Sequence, residues 1–450
     1  MKLTERFEQK RVLVLGLAKS GYAAATLLKK LGAELTVNDG SPLENNQEAH
    51  ALIDAGVRVI CGEHPISLLD EGFDYVVKNP GIPYTNPIVQ RAEALNIPII
   101  TEIELAYEVS EAPIVAITGS NGKTTTTTLL YHMLNIGKKK PLIAGNIGTV
   151  ACTVAEKAAA DNIIVLEASS FQLMGIETFK PRISIITNLY DAHLDYHGTF
   201  QAYAEAKANV MACQDDQDVF IYNADQEAVA QLAEQTKAHA IPFSTSRKLE
   251  EGASADDEMI YWNGEPFIER SLITLPGKHN LENILSAVIS AILLECDREA
   301  IIDVLSSFTG VKHRMQFVRE LAGRKYYNDS KATNTLATKS ALSAFEQPVI
   351  LIAGGLDRGH TFEPLRDAMT HVKALVAVGE TKERMIEFAQ SCGIPTAELA
   401  DSMEEAVQIA RSLSEEKDVI LLSPASASWD EYANFEIRGD RYIDAVMSLD

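Results

Sequence analysis

A chain of 450 residues, 46% hydrophobic and 23% charged, has the composition of a globular protein. It is too long for one ordinary core, so about three domains are expected at roughly 150 residues each. Forty basic residues against 63 acidic ones leave a net charge of −23, which argues against nucleic acid and anionic membrane as partners and requires any anionic substrate to be caught by local donors.

Five cysteines, Cys61, Cys152, Cys213, Cys296 and Cys392, are scattered without a CxxC pair. That pattern suits a reducing cytosol rather than a disulfide framework or a zinc site. No apolar run reaches the ~18 residues of a membrane span. The early run "VLVLGLA" is cut short by Lys19 and reads as a buried strand, not a signal peptide. A cytoplasmic protein is expected.

In chain order, "RVLVLGLAKSGYAAATLLKKLGAELTVND" (11–39) predicts strand, glycine turn, helix, strand. Ala24, Leu27, Leu28 and Leu31 carry the helical spacing and Gly32 stops it. "DYVVKNPGIP" adds a strand ending in a Pro-Gly turn, so the chain opens as the βαβ unit of a nucleotide-binding domain. In "GLAKSG", Ala18 stands where GxGxxG has its second glycine, so a turn with a ligand and a turn without one both fit. A second module begins near Pro113, with strands at "PIVAITG", "NIIVLEAS", "ISIITNL" and "DVFIYN" and a buried helix at "NLENILSAVISAILLE". Alternating strands and helices predict a mostly parallel, doubly wound sheet. The acidic stretch "LEEGASADDEM" (249–259) reads as a solvated surface excursion. After "SSFTGVKHRM" a third α/β module follows, with strands at "KYYND", "PVILIAGG", "ALVAVG" and "DVILLSP". No solenoid repeat or low-complexity tract is present.

The most specific signal is "AITGSNGKTTTTTLLYHML" (116–134), an apolar strand, a small-residue loop and a helix. In a phosphate loop, consecutive backbone N–H groups and the helix N-terminus surround the anion. The lysine adds charge and the next hydroxyl ligates magnesium. Gly119, Gly122, Lys123 and Thr124 meet that need, although Ile117 occupies the first glycine position of the full motif.

"TGSNGKTTT", "GNIG", "LEASSFQL", "NLYDAHLDYHGTFQAYAEAK", "LPGKHNLENILSA", "KHRMQ", "YNDSKATN" and "LLSPASASWDEYANFEIRGDRY" occur in that order. From residue 11 to its end the chain resembles the Mur ligases, ATP-dependent enzymes that build the peptide stem of the bacterial cell wall. "HLDYHGTF" and the C-terminal signature are similar to those of the family members that add D-glutamate to UDP-N-acetylmuramoyl-L-alanine. The resemblance implies three α/β domains: a Rossmann-like UDP-sugar domain (1–110), a central ATP-binding domain with a parallel sheet (111–309), and a Rossmann-like amino-acid domain (310–450). It implies a carboxylate phosphorylated by ATP, attack by the amine of D-glutamate, and a tetrahedral intermediate that loses phosphate. A monomer is expected.

Site residues follow from the same resemblance. The UDP-substrate is assigned to Lys19, Ser20, Gly21, Asp39, Gly81 and Asn146. ATP is assigned to Gly119, Ser120, Asn121, Gly122, Lys123, Thr124 and Thr125, to Asn280 and Asn283 one helical turn apart, and to Arg314 and Asp329. D-glutamate is assigned to Thr333, Arg358, Ser428, Trp429 and Phe435, with Arg358 standing where relatives usually carry lysine. Two magnesium ions are expected on Thr124, Glu167, His193 and Lys207. Glu167 closes an apolar strand, where a carboxylate suits a metal. His193 sits in a loop with Asp191, Asp195 and His197 around it, and reads as a second magnesium ligand or a substrate contact. Ala192 replaces an acid common in the family. Lys207 lies beside the stripe Ala202, Ala206, Val210, and the resemblance makes it a carbamate. Lys123, His193 and Lys207 are the expected catalytic residues. The alternatives are a folylpolyglutamate-synthetase-like ligase or a non-catalytic phosphate-loop module. A GTPase would need an NKxD motif, and a nicotinamide dehydrogenase would leave the GKT loop unexplained.

Overall fold

The computed structural model describes Met1 to Asp450 apart from Leu3 and Pro276, and apart from the side chains of Asn45 and Asp195. Residues Met1–Phe308 form one compact unit and Thr309–Asp450 a second.

The first unit opens with a five-stranded parallel sheet: β1 (Arg11–Leu15), β2 (Glu34–Asp39), β3 (Arg58–Cys61), β4 (Tyr75–Lys78) and β5 (Ile99–Ile100), in the order β3-β2-β1-β4-β5. The two-residue period of β1 buries it on both faces. Val12 and Val14 join a core with Ala24 and Leu28 of the helix Lys19–Lys30. Leu13 and Leu15 face the other way, with Leu68, Val76 and Ile88. The expected strand–turn–helix–strand is therefore present, and its turn sits at the C-terminal end of β1.

A nine-stranded sheet follows: β6 (Ile114–Thr118), β7 (Pro141–Gly145), β8 (Ile163–Glu167), β9 (Ile183–Ile186), β10 (Val219–Asn223), β11 (His239–Ser244), β12 (Ala253–Ala255), β13 (Met259–Trp262) and β14 (Glu265–Glu269). Its order is β14-β13-β12-β11-β10-β9-β6-β8-β7. Pairings are parallel from β7 through β12, and the last two strands run antiparallel. Every residue of β6 is buried, as a central parallel strand covered on both faces requires. The helix Lys278–Leu293 packs against Lys123–Ile136, the helix that follows β6.

The acidic stretch 249–259 is not simply a surface excursion. Ala253, Ser254 and Ala255 are buried as β12 and extend the sheet, with Phe243 opposite Ala253. Their small side chains fit between strands while the acids on either side stay in water, and the charge run hid them.

The second unit carries a six-stranded sheet: β15 (Gln316–Leu321), β16 (Arg324–Asn328), β17 (Val349–Gly354), β18 (Val372–Val378), β19 (Thr396–Leu399) and β20 (Val419–Leu422), ordered β15-β16-β20-β17-β18-β19. Only β15 pairs antiparallel. The loops leaving β16, β20 and β17 are therefore neighbours at one edge, where open α/β sheets present ligands.

Candidate active site

The phosphate loop leaves β6 at Thr118 and enters its helix at Lys123. Gly122 has φ 82°, and a Cβ there would lie 2.0 Å from Asn283 Oδ1. Gly119 has φ 140°, and its Cβ would lie 2.0 Å from Thr187 Oγ1. Close approach and a left-handed backbone together require glycine at Gly122. The segment after β9 holds the loop from the other side. Asn188 Oδ1 accepts from Asn121 N at 2.8 Å, and Asn188 O accepts from Ser120 N at 2.9 Å. Thr187 Oγ1 donates to Asn121 O at 2.6 Å. Ser120 Oγ lies 2.9 Å from the Tyr203 hydroxyl. Lys123 Nζ folds back over the loop onto the carbonyls of Gly119 and Ser120, at 2.8 and 2.9 Å. Thr124 and Thr125 are buried at the helix start.

Around this loop the fold gathers the expected polar groups. Glu167 closes β8 opposite Ile117 and is 1% exposed. Asn146 Nδ2 donates to its Oε1 at 2.9 Å, while the buried Oε2 has no hydrogen-bond partner. A buried carboxylate oxygen without a partner is costly unless a cation or donor completes it. Asn146, assigned to the UDP-substrate, is thus the residue that orients Glu167. Lys207, on the helix Phe200–Ala208, is 2% exposed. Its Nζ is 3.4 Å from Thr118 Oγ1 at the base of the loop and 4.7 Å from the centre of the Tyr203 ring. Burial, and then the Lys123 ammonium, push its pKa well below the ordinary lysine value, against the attraction of Glu167. His193 begins the short helix Leu194–His197 at φ 54°, edge-on to Phe171 with ring centres 5.1 Å apart. His197 stacks on the same ring and meets Ser170 Oγ at 3.0 Å. The Asp195 side chain lies outside the described residues. Asn283 is buried behind Gly122, its amide 3.5 Å from Asn280 Oδ1 and from Thr126 Oγ1.

These residues fit a magnesium ion. Among the described residues no three His, Cys, Asp or Glu side chains cluster. Magnesium at phosphate sites takes one or two protein oxygens and the rest from phosphate and water. Glu167 Oε2 is a lone oxygen of that kind.

At the first sheet, Lys19, Ser20 and Gly21 begin the helix after β1. Asp39 closes β2, and its carboxylate accepts from Leu17 N at 2.6 Å and Ser41 N at 2.8 Å. Burial would raise its pKa, but these donors outweigh it and hold the group below the usual carboxylate range. Asp39 thus shapes the glycine turn. Asn79 ties that turn to the "NPGIP" turn: its Nδ2 donates to Ser20 Oγ at 3.0 Å and its Oδ1 accepts from Gly81 N at 3.0 Å.

Within the second unit, Asp329 and Thr333 follow β16, Arg358 follows β17, and Ser428 and Trp429 follow β20. Asp329 accepts from Ser423 Oγ at 2.8 Å and Met315 N at 3.1 Å, and burial raises its pKa to about 7. The Arg358 guanidinium lies 4.8 Å from the centre of the exposed Trp429 ring. Phe435 O accepts from Ser330 Oγ at 2.8 Å. Arg314 is half-buried beside His313.

Sequence reasoning overlooked several groups. Thr187 and Asn188 carried only the weak signal of a polar pair ending an apolar strand. Arg438, inside the quoted "EIRGD", is 1% exposed and donates to Ser330 O at 2.9 Å and Ser426 O at 3.1 Å, joining two loops. Burial lowers its pKa to about 10. Gly439 lets its helix approach His313, whose Nδ1 would be 2.1 Å from a Cβ there.

Three family models match the chain: "Mur ligase MurD-like, N-terminal domain" over residues 10–101, "Mur ligase middle domain" over 117–291, and "Mur ligase, glutamate ligase domain" over 313–426. A protein of Geobacillus sp. (strain WCH70) named UDP-N-acetylmuramoylalanine–D-glutamate ligase is 58% identical over 450 residues, covering 100% of both chains. The chain is a Mur ligase. Proteins of the same name from Geobacillus kaustophilus and Listeria monocytogenes are 55% and 53% identical, over 100% of this Mur ligase and 100% and 99% of theirs. Among solved structures, UDP-N-acetylmuramate-alanine ligase of Thermotoga maritima is 19% identical with TM-score 0.57, covering 98% of this chain and 99% of its own. The MurF ligase of Thermotoga maritima, solved in complex with ADP, is 16% identical with TM-score 0.57, covering 99% and 96%. At that identity the likeness concerns the fold, and it agrees with the three α/β domains expected of a Mur ligase. The middle-domain match contains the phosphate loop, Glu167, His193 and Lys207. Among the described residues no helix is long and apolar enough to cross a membrane.

Proposed function

We propose that this Mur ligase joins UDP-N-acetylmuramoyl-L-alanine to D-glutamate at the expense of ATP, in peptidoglycan synthesis. Full-length relatives carrying that enzyme's name at 53–58% identity support the substrate pair. The geometric observation that carries the chemistry is the partnerless, buried Oε2 of Glu167 beside a phosphate loop. That oxygen calls for a cation or donor at the phosphate loop, and the full-length match to named ligases disfavours a non-catalytic nucleotide module. A folylpolyglutamate-synthetase-like substrate is not favoured, because the N-terminal domain matches the MurD-like model.

In the reaction a carboxylate oxygen of the UDP-substrate attacks the γ-phosphorus and ADP leaves, giving an acyl phosphate. The amine of D-glutamate attacks the acyl carbon. The tetrahedral intermediate expels phosphate and the nitrogen loses its proton. Residues 1–110 hold the UDP-sugar through the Ser20 and Gly81 turns, 111–309 hold ATP, and 310–450 hold D-glutamate, as a monomer in the cytoplasm. Thr124, Glu167, His193 and Lys207 would hold two magnesium ions, which would neutralise charge on the phosphoryl oxygens. Lys123 orients the β- and γ-phosphates. Arg314 and Asp329 serve ATP. Thr333, Arg358, Ser428, Trp429 and Phe435 serve D-glutamate.

Lys207 acts as a carbamate. Burial favours its neutral amine, the form that adds carbon dioxide. The nitrogen bonds the carbon of carbon dioxide and releases a proton, so the carbamate is anionic where the ammonium would be cationic and supplies oxygen ligands suited to magnesium. The deciding experiment is ADP release with purified protein. Release that needs both UDP-N-acetylmuramoyl-L-alanine and D-glutamate is expected. Release without either substrate, or only with a folate-type acceptor, would overturn the reading.

A further inference from the structure

Lys78 is the last residue of β4 and is 1% exposed. Among the described residues no carboxylate lies within ion-pair distance of it. Its ammonium instead meets carbonyls of the turn that follows: Ile82 O at 2.7 Å, Asn79 O at 3.3 Å and Pro80 O at 3.4 Å. The Tyr84 ring covers it, with Nζ 4.9 Å from the ring centre. A buried cation without a counter-charge is expensive, and here its cost is met by lining up the carbonyls of the "NPGIP" turn. That turn carries Asn79 and Gly81, which are bonded to each other and, through Asn79, to Ser20.

The other side of the same cluster belongs to the nine-stranded domain. Tyr196 OH donates to Ile82 O at 3.1 Å and lies 3.5 Å from Lys78 Nζ. The Tyr196 ring packs edge-on against Phe171 at 4.5 Å and beside His197 at 5.1 Å. Phe171 also touches His193. Tyr84 OH donates to Met174 O at 3.2 Å, just beyond Phe171. A continuous set of contacts therefore runs from the turn holding Gly81 to the turn holding His193, and Lys78 with Tyr196 is its joint.

We propose that Lys78 and Tyr196 are positioning residues for the UDP-substrate, a nucleoside diphosphate sugar ending in a carboxylate. They fix the Gly81 turn, assigned to the UDP-substrate, at its distance from the His193 turn beside the phosphate loop. The proposal rests on the UDP-substrate reading above. A ligand anchored at one end and reacting at the other needs both anchors in one register, and a displacement of about 1 Å at a remote anchor can cost on the order of a hundredfold in rate.

The test is a double-mutant cycle with Lys78→Met, which removes the charge and keeps the volume, and Tyr196→Phe, which removes only the hydroxyl. Steady-state kinetics would be measured for UDP-N-acetylmuramoyl-L-alanine, ATP and D-glutamate, with thermal melting to follow the fold. Each single variant should raise KM for the UDP-substrate by roughly tenfold, the scale of a hydrogen bond to a charged group, lower kcat through the misplaced reacting end, and leave KM for ATP and D-glutamate unchanged. The double variant should be no worse than about tenfold, because both changes break one joint. Losses that multiply to about a hundredfold in the double variant, equal rises in all three KM values, or an unchanged KM for the UDP-substrate would each overturn the proposal. Should Lys78→Met fail to fold, Tyr196→Phe alone decides it by the same split of KM values. Absence of UDP-substrate-dependent turnover in the unaltered protein would instead overturn the reading beneath it, and the proposal with it.

Discussion

Gly122→Ala tests whether the phosphate loop is built as described. At φ 82° an alanine sits in the left-handed region, at a cost of about 1–2 kcal/mol. Its Cβ would also stand 2.0 Å from Asn283 Oδ1 and 2.8 Å from Asn283 Cγ. The Asn283 amide must swing away and give up its contacts with Asn280 and Thr126, which adds about 1 kcal/mol. The sum, about 2–3 kcal/mol, should lower the melting temperature of the first unit by roughly 5 °C. ATP binding should weaken more than this suggests, because the displaced groups are the loop amides and Asn283 themselves. Thermal melting and titration with ADP measure the two effects. The double variant Gly122→Ala/Asn283→Ala removes the atom that the new methyl strikes, so it should melt higher than the single variant. A single variant that melts with the parent, or an Asn283→Ala change that simply adds its own loss, would refute the packing argument.

Three further outcomes follow from the same geometry. Lys207→Ala should lower kcat on the order of 10²–10³-fold, and a small carboxylic acid in the assay should restore part of the activity. No rescue, together with no carbamate signal after labelling with carbon-13 dioxide, would remove the carbamate role. Arg358→Ala gives up a guanidinium held on Trp429 and should raise KM for D-glutamate by roughly tenfold while KM for ATP stays put; an unaltered D-glutamate KM removes Arg358 from the site. Asp329, raised to about 7 in the fold, titrates near 3.9 when unfolded, at about the ordinary aspartate value. The native state then holds the proton more tightly, so this group makes stability fall as pH rises from about 4 to about 7. Asp329→Asn should flatten that slope in melts of the second unit, and an unchanged slope would count against the assignment.

Much of the architecture is legible in the sequence. Apolar runs such as "VLVLG", "PIVAITG" and "PVILIAGG", each followed by a helical pattern, are near-continuous because parallel strands are covered on both faces. The phosphate loop was legible because its chemistry is local: glycines, lysine and threonine must be adjacent in the chain to wrap one anion. β12 was not legible. Its Ala253, Ser254 and Ala255 lie among acids, and their place between β11 and β13 in the sheet buries them.

Tertiary structure alone decided which groups at the site still lack a partner. Glu167 closes β8 and Asn146 follows the neighbouring β7, 21 residues earlier, so the chain cannot say that Asn146 takes one carboxylate oxygen and leaves the other bare. Burial of Lys207 against Thr118 is likewise a property of two elements 89 residues apart. Lys78 reads in sequence as an ordinary charge closing a strand, and Arg438 as one more residue of a helix. Both become structural centres because folding removes water from them and leaves backbone carbonyls as their partners. Local pattern determines which elements form. The desolvation that perturbs a charge, and the partner that offsets it, depend on what the rest of the chain places against it.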